Sequence, residues 1–379
     1  MYLYSLLSAA TAVDNFEPIA KWLTIAVVAA LLLTGVLLFF AKRKAFANYA
    51  KYALFGLICY LLALAVLFFL LDILKHSSDA YIEENGLNKK SLLSFMLVPL
   101  LCLSACILIG LTAFALISKY KPEKRKLVAI LIGSVCLIAL ATTVVLLGIY
   151  YNKEIKNNEY YNSDSYSVKQ LALYLGAVLA VAVIFALATL DKETLRFDAR
   201  TLAYAGICVS MSFALSYIKL WDMPQGGSVT LVSLLPIMLF AYLFGAKKGV
   251  FVGFAYGVLQ AVQDPWIIHP AQFLLDYPVA FASAGLAGLL RPVKKWEKLP
   301  QAQFGVGALI AGTMRFVCHV LSGVFAFESY AGGENVWLYS LAYNSYVFID
   351  VALVIAAGVF VLSSKSFVKA VLKPINSNQ

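Results

Sequence analysis

The chain has 379 residues, 62% of them apolar and 13% charged, with a formal net charge of +10. A water-soluble fold of this size needs far less apolar surface, whereas bilayer spans of about 20 apolar residues each account for it. The basic residues sit in short loops between apolar runs, as membrane orientation produces, and this excludes a nucleic-acid-binding role.

Apolar runs predict an all-α polytopic membrane protein with about eleven spans. The first five cover roughly 19–40, 53–74, 91–117, 127–150 and 171–190, and a linker of mixed charge, 191–200, follows. The last six cover about 202–220, 229–245, 250–262, 273–290, 304–327 and 339–362. The N-terminal MYLYSLLSAATA lacks a basic leader region and precedes a full-length span, so it reads as a surface or re-entrant segment rather than a cleaved signal. Lys and Arg concentrate in alternate loops, which predicts an outside N-terminus and a cytoplasmic C-terminus. Three loops expected outside, near Pro224, Pro265 and Gly332, carry Trp221, Trp266 and Trp337 and no Lys or Arg. These tryptophans fit either interfacial anchoring or the mouth of an outward-facing pocket.

The six cysteines (Cys59, Cys102, Cys106, Cys136, Cys208, Cys318) all lie inside apolar runs, without the further ligands that a metal needs, and read as packing residues. The glycines of GAKKGVFVGFAYG read as helix packing, since the phosphate-loop pattern is absent.

The two halves differ in polarity. The first five spans are almost purely Leu, Val and Ala, whereas the last six hold Gln260, Gln272, Asp276, Arg315, His319, Asn344 and Asp350. Ionisable groups at membrane depth are costly and face a bundle interior or a cavity, so function is expected in the second half. The stretch Gln263 to Pro278, QDPWIIHPAQFLLDYP, concentrates this polarity. His269, Gln272 and Asp276 fall at i, i+3, i+7, and Arg315, His319 and Ser322 at i, i+4, i+7, each set on one helix face. Such a set suits a flat, cationic, nitrogen-rich small molecule: a carboxylate balances charge, amides and phenols read ring nitrogens, and aromatic faces stack. It equally suits a mid-membrane Arg315–Asp350 pair, a helix–helix bond from His319, or a proton relay in a secondary transporter.

Four segments in order, MPQGGSVT (Met223 to Thr230), HPAQFLLDYP (His269 to Pro278), MRFVCHVLSG (Met314 to Gly323) and VWLYSLAYNSY (Val336 to Tyr346), carry a family likeness. Together they resemble the thiamine-specific S component of energy-coupling-factor transporters, the ThiT family, over about residues 200–379. The resemblance implies a six-helix bundle over 201–379, preceded by a five-span membrane domain over 1–190. It implies a non-enzymatic subunit of the bacterial plasma membrane that captures thiamine from outside. That subunit docks on a membrane T protein and two ATPase subunits, which use the ATP, and it has no cofactor of its own. A related vitamin or a thiamine precursor stays open as ligand, because Asp276 stands where some relatives have Glu and Phe327 where some have Trp.

Carried over residue by residue, the family's ligand positions match Asp276, Tyr277, His319, Tyr339, Asn344, Trp266, Phe327 and Tyr256. The loop Pro224, Gln225, Gly226, Gly227 matches its external lid. Gly206 and Ser210 match the small-residue face that contacts the T protein. Asp350 matches nothing expected of the family and is expected to pair with Arg315. The first five spans lie outside the resemblance and show neither the T protein's coupling signature nor an ATPase motif.

Overall fold

The computed structural model describes residues 9–41, 88–120, 122–155, 170–191, 193–291 and 299–369, with scattered positions between 49 and 67. The expected second span and the loops at 75–87, 156–169 and 292–298 therefore lie largely or wholly outside the described residues.

The chain is a mostly helical multi-pass membrane protein. Helix α1 spans Ala9–Ala41, α2 Val98–Tyr120, α3 Arg125–Tyr150 and α4 Gln170–Thr189. Beyond the linker come α5 Ala199–Ser216, α6 Leu235–Phe244, α7 Ala246–Gln263 and α8 Pro270–Leu274. Then follow α9 Pro300–Ala326, α10 Val336–Asn344 and α11 Tyr346–Ser363. Among the described residues, six stretches are long and apolar enough to cross a bilayer: Pro18–Leu38, Lys90–Phe114, Ile130–Glu154, Ala172–Thr189, Pro300–Ala326 and Val336–Ser363.

Two expected boundaries shift, and the fold is not purely helical. The sixth span, read as running to Leu220, ends at Ser216, and the seventh, read from Val229, begins at Leu235. Between them lies an antiparallel hairpin of β1, Lys219–Asp222, and β2, Ser228–Thr230. The cause is local. Gln225 (φ 57°) and Gly226 (φ 83°) both take left-handed backbone, and Met223 N–H donates to Gly227 O at 2.7 Å to close the turn. Trp221, Val229 and Thr230 then prefer the strands to a helix. The ninth span is also broken: a π turn, Leu275–Val279, follows α8, and a 3-10 stretch, Ser283–Gly288, follows that. Pro278 lies inside the π turn and has no N–H to donate, so regular α bonding cannot continue there.

The glycines of α7 do pack helices. A Cβ added at Gly253 or Gly257 would meet the carbonyl oxygen of Phe281 or of Tyr277, so the segment 277–281 lies directly on that face. Around this contact the core is filled by fully buried Phe240, Tyr256, Phe273 and Phe304.

The N-terminal helices pack on this core. Leu103 and Ile107 of α2 cluster with Ala255 and Val258 of α7, and α4 lies against α8 and α9. Lys21 Nζ of α1 donates to Lys219 O of the hairpin at 3.1 Å. The linker is fastened as well. Buried Asp191 accepts from Glu193 N–H at 2.9 Å, and Glu193 pairs with Arg291 at 3.2 Å. Asp198 caps α5 by accepting from Thr201 N–H at 2.7 Å. Partial burial would raise the Asp198 carboxyl, but the bonds from Thr201 and the Lys248 charge outweigh it and hold the group below its usual range.

Candidate functional site

A cavity of about 140 Å³ opens beneath the hairpin, between the ends of α5 and α7, the π turn after α8, and α9 to α11. The carboxylate of Asp276 is its best-held group. One oxygen lies 2.9 Å from His319 Nδ1, and the other accepts from Ser322 Oγ at 2.6 Å and Gln272 Nε2 at 2.8 Å. The π turn carries Asp276 and Tyr277 together to the cavity wall. The carboxylate favours the tautomer with the proton on Nδ1, which leaves His319 Nε2 as an acceptor.

Gln272 links this carboxylate to the loop before α8, donating also to Trp266 O at 2.9 Å and accepting from Ile268 N–H at 3.2 Å. The Tyr277 phenol holds the same loop: it donates to Asp264 O at 2.6 Å and accepts from Trp266 N–H at 2.8 Å. Trp266 sits under the hairpin, where a Cβ added at Gly226 would lie 3.6 Å from its Cβ. The opposite wall is aromatic: Tyr339 stacks on Tyr343 at 6.1 Å and 20°, and Phe327 tilts against Tyr330 at 5.9 Å. Asn344 closes that wall, its amide nitrogen donating to Ser340 O at 2.9 Å and His319 O at 3.3 Å.

Arg315 and Asp350 pair at 3.1 Å, both buried. Asp350 also accepts from the Thr230 N–H at 3.2 Å and hydroxyl at 3.3 Å, so the pair ties strand β2 to α9 and α11. The Arg315 guanidinium lies 5.1 Å over the Phe281 ring. Among the described residues, three buried polar atoms of cavity-lining side chains have no hydrogen-bond partner: Trp266 Nε1, His319 Nε2 and Arg315 Nε. Buried polar groups of this kind are costly unless something bonds them.

Seven of the eight expected ligand positions converge on this cavity: Asp276, Tyr277, His319, Tyr339, Asn344, Trp266 and Phe327. Tyr256 does not line it. Its ring is fully buried edge-on to Phe281 at 5.1 Å, and its hydroxyl donates to Ser212 O at 3.2 Å. Gln225, Gly226 and Gly227 line the cavity from the hairpin turn, and Pro224 anchors it, its carbonyl accepting from the Tyr343 hydroxyl. Gly206 is exposed on α5, where an added Cβ would meet nothing within 4 Å, and Ser210 is half-buried one turn on.

Ser216, Lys219, Tyr343 and Tyr346 on the wall were not singled out from sequence, whereas Gln260 and Gln263 were noted only for their polarity. Tyr343 and Tyr346 follow Tyr339 at i+4 and i+7, a legible helical face. Ser216, Gln260 and Gln263 form a hydrogen-bonded cluster of 2.7–3.1 Å at the meeting of α5 and α7. Lys219 reaches Asp264 at 3.7 Å from the hairpin, a contact invisible while that stretch reads as helix. Among the described residues, no group of three or more His, Cys, Asp or Glu could hold a metal ion.

Apolar spans around a polar, aromatic-walled cavity define a membrane protein with a site suited to a small polar ligand. The family described as "Thiamine transporter protein (Thia_YuaJ)" matches residues 202–370. Thiamine transporter ThiT of Bacillus subtilis (strain 168) is 37% identical over 132 residues, covering 33% of this chain and 68% of the relative. Thiamine transporter ThiT of Lacticaseibacillus paracasei is 30% identical over 170 residues, covering 40% of this chain and 82% of the relative. The chain belongs to this thiamine transporter family, and it is a transport protein, not an enzyme.

Proposed function

We propose that residues 201–379 form a six-span S component that captures thiamine from outside and delivers it into the cell within an ATP-driven energy-coupling-factor transporter. In this reading residues 1–190 are a five-span membrane domain, 191–200 is a cytoplasmic linker, the N-terminus is outside, and the C-terminus is in the cytoplasm of a bacterial cell. The T protein and two ATPase subunits supply the energy, docking near Gly206 and Ser210, and the chain itself uses no cofactor.

The observation that carries the reading is the Asp276 carboxylate, held by His319, Ser322 and Gln272 in a cavity walled by Tyr339, Tyr343 and Phe327. A flat organic cation fits that combination. The buried carboxylate balances its charge in a medium that screens poorly, and each aromatic face adds about 0.5–2 kcal/mol of cation–π attraction. Because these groups are already fixed by their neighbours, little ordering cost falls on binding.

Thiamine titrated into the purified chain should give a calorimetric signal and a change in tryptophan fluorescence through Trp266. Neither signal at about micromolar ligand would overturn the reading. Asp276→Asn should weaken binding about tenfold or more, since a charge-assisted contact is about twice as strong as a neutral one. A loss below about twofold would remove Asp276 as the charge-balancing group. Competition by thiamine precursors would show how far ligand choice extends. Uptake that survives loss of the ATPase partners but collapses with an uncoupler would favour proton coupling through Arg315, Asp350 and His319 instead.

A further inference from the structure

The helices before the linker touch the cavity-bearing segments at points that ligand binding does not use. His269 caps α8, its Nδ1 accepting from Ala271 N–H at 3.2 Å, and its ring is buried. Two aromatic rings from the N-terminal half meet that imidazole. Tyr151, the first residue of the π turn after α3, stands at 5.2 Å and 77°, and Tyr174, on α4, at 5.4 Å and 61°. Backbone approaches reinforce the contact. A Cβ added at Gly148 would lie 3.8 Å from Pro270 Cγ, and one at Gly176 would lie 3.7 Å from Leu321 Cδ1. Leu321 sits between His319 and Ser322, both bonded to Asp276. Helices α3 and α4 thus press on both segments that hold the Asp276 carboxylate.

Helix α8 is the first turn of a helical run that continues through the π turn to Gly288, and the first N–H groups of such a run need partners from outside it. Its start is set by the His269 cap, and Gln272, three residues on, must reach Trp266 O and Asp276 together. We propose that Tyr151 and Tyr174 are positioning residues of the ligand site: by clamping His269 they place Gln272 against Asp276, so the N-terminal helices contribute to ligand affinity without touching the ligand. The inference rests on the reading that the cavity takes thiamine.

The test is thiamine calorimetry on the purified full chain. Tyr151→Ala/Tyr174→Ala should weaken binding about tenfold, the loss of two edge-to-face contacts. Tyr151→Phe/Tyr174→Phe, which keeps both rings, should bind within about twofold of wild type. In a Gln272→Ala background the same two alanines should cost less than about twofold further, because their effect passes through Gln272. Should the double variant not fold, Tyr174→Ala alone, at a half-exposed ring, should cost about threefold and be rescued by Tyr174→Phe. A wild type that binds while the alanine variants bind within twofold overturns the inference alone. So does a phenylalanine variant as weak as the alanine one, or an equal loss in both backgrounds. A wild type that binds no thiamine overturns the functional reading, and this inference with it.

Discussion

Helices α1 to α4 and helices α5 to α11 are built of similarly apolar residues but use them in opposite ways. Along α3, Ile130, Leu131, Val135, Leu137 and Ile138 are exposed, and in a bilayer they face lipid. Along α9, Phe304, Ala308, Ala311, Arg315, Cys318, His319 and Ser322 are buried, and the last of these lead into the cavity wall. Hydropathy alone would rank the first group as the better core. What separates them is pairing: the second half carries polar groups, and each must find a partner in a medium without water. Arg315 with Asp350, and Asp276 with His319, are the outcome.

The contrast is broken most severely by unpairing a charge. Arg315→Met leaves Asp350 buried and uncompensated and should cost about 3–5 kcal/mol. Thermal unfolding in detergent would measure this. Arg315→Met/Asp350→Leu should recover most of the loss, and if it does not, the pair does more than satisfy itself. Next in size is a comparison of apolar positions. Phe304→Ala, at a fully buried ring that meets Tyr242 edge-on at 5.8 Å, should cost about 3 kcal/mol. Ile138→Ala on the lipid face should stay within about 0.5 kcal/mol. Equal losses would mean that α3 faces protein rather than lipid.

A smaller effect is expected at the join of the two halves. Asp198→Ala removes the α5 cap and should cost about 1 kcal/mol. Because the folded carboxyl lies below its ordinary value, this contribution is present above about pH 4 and is lost as the pH falls through the lowered folded value. A wild-type minus Asp198→Ala difference that does not shrink in acid would show the cap acting without its charge. The smallest effect is at Gly206. Gly206→Ala has open space around it inside a helix and should raise stability by at most about 0.5–1 kcal/mol while leaving thiamine binding unchanged. Gly206→Phe should leave thiamine binding intact and weaken co-purification with the T protein. If it does not, docking uses another face.

Much of this was legible in the residues. Long apolar runs gave the positions of α2, α3, α4, α9 and α11, because a bilayer sets span length. Of the two helical faces read from sequence, Arg315–His319–Ser322 and His269–Gln272–Asp276, the residues His319, Ser322, Gln272 and Asp276 do meet, whereas His269 is the extended cap before α8 and turns to Tyr151 and Tyr174 instead. The hairpin was not legible, because strands of four and three residues joined by a turn at Gln225 and Gly226 look like frayed span ends to a hydropathy count. Lys219 was missed for that reason. The core role of Tyr256 was missed for another: an aromatic on a helix near a site has the same pattern whether it faces cavity or core, and only the Phe281 contact decides between them. The contact of Tyr151 and Tyr174 with His269 joins segments more than 90 residues apart, beyond the reach of local periodicity.

The π turn at Leu275–Val279 also bears on how this site can vary through descent. A π turn takes up one residue more than an α turn. Losing one residue there would restore regular winding and swing the face that follows by about 100° relative to α8. Phe281, on the cavity wall beyond the turn, would rotate away from Asp276 even with every side chain kept. Point substitutions should therefore adjust this pocket by degrees, whereas a single-codon deletion would abolish it at a stroke. Chain length between Gln272 and Ala280 is then as much a part of the binding specification as the residues themselves.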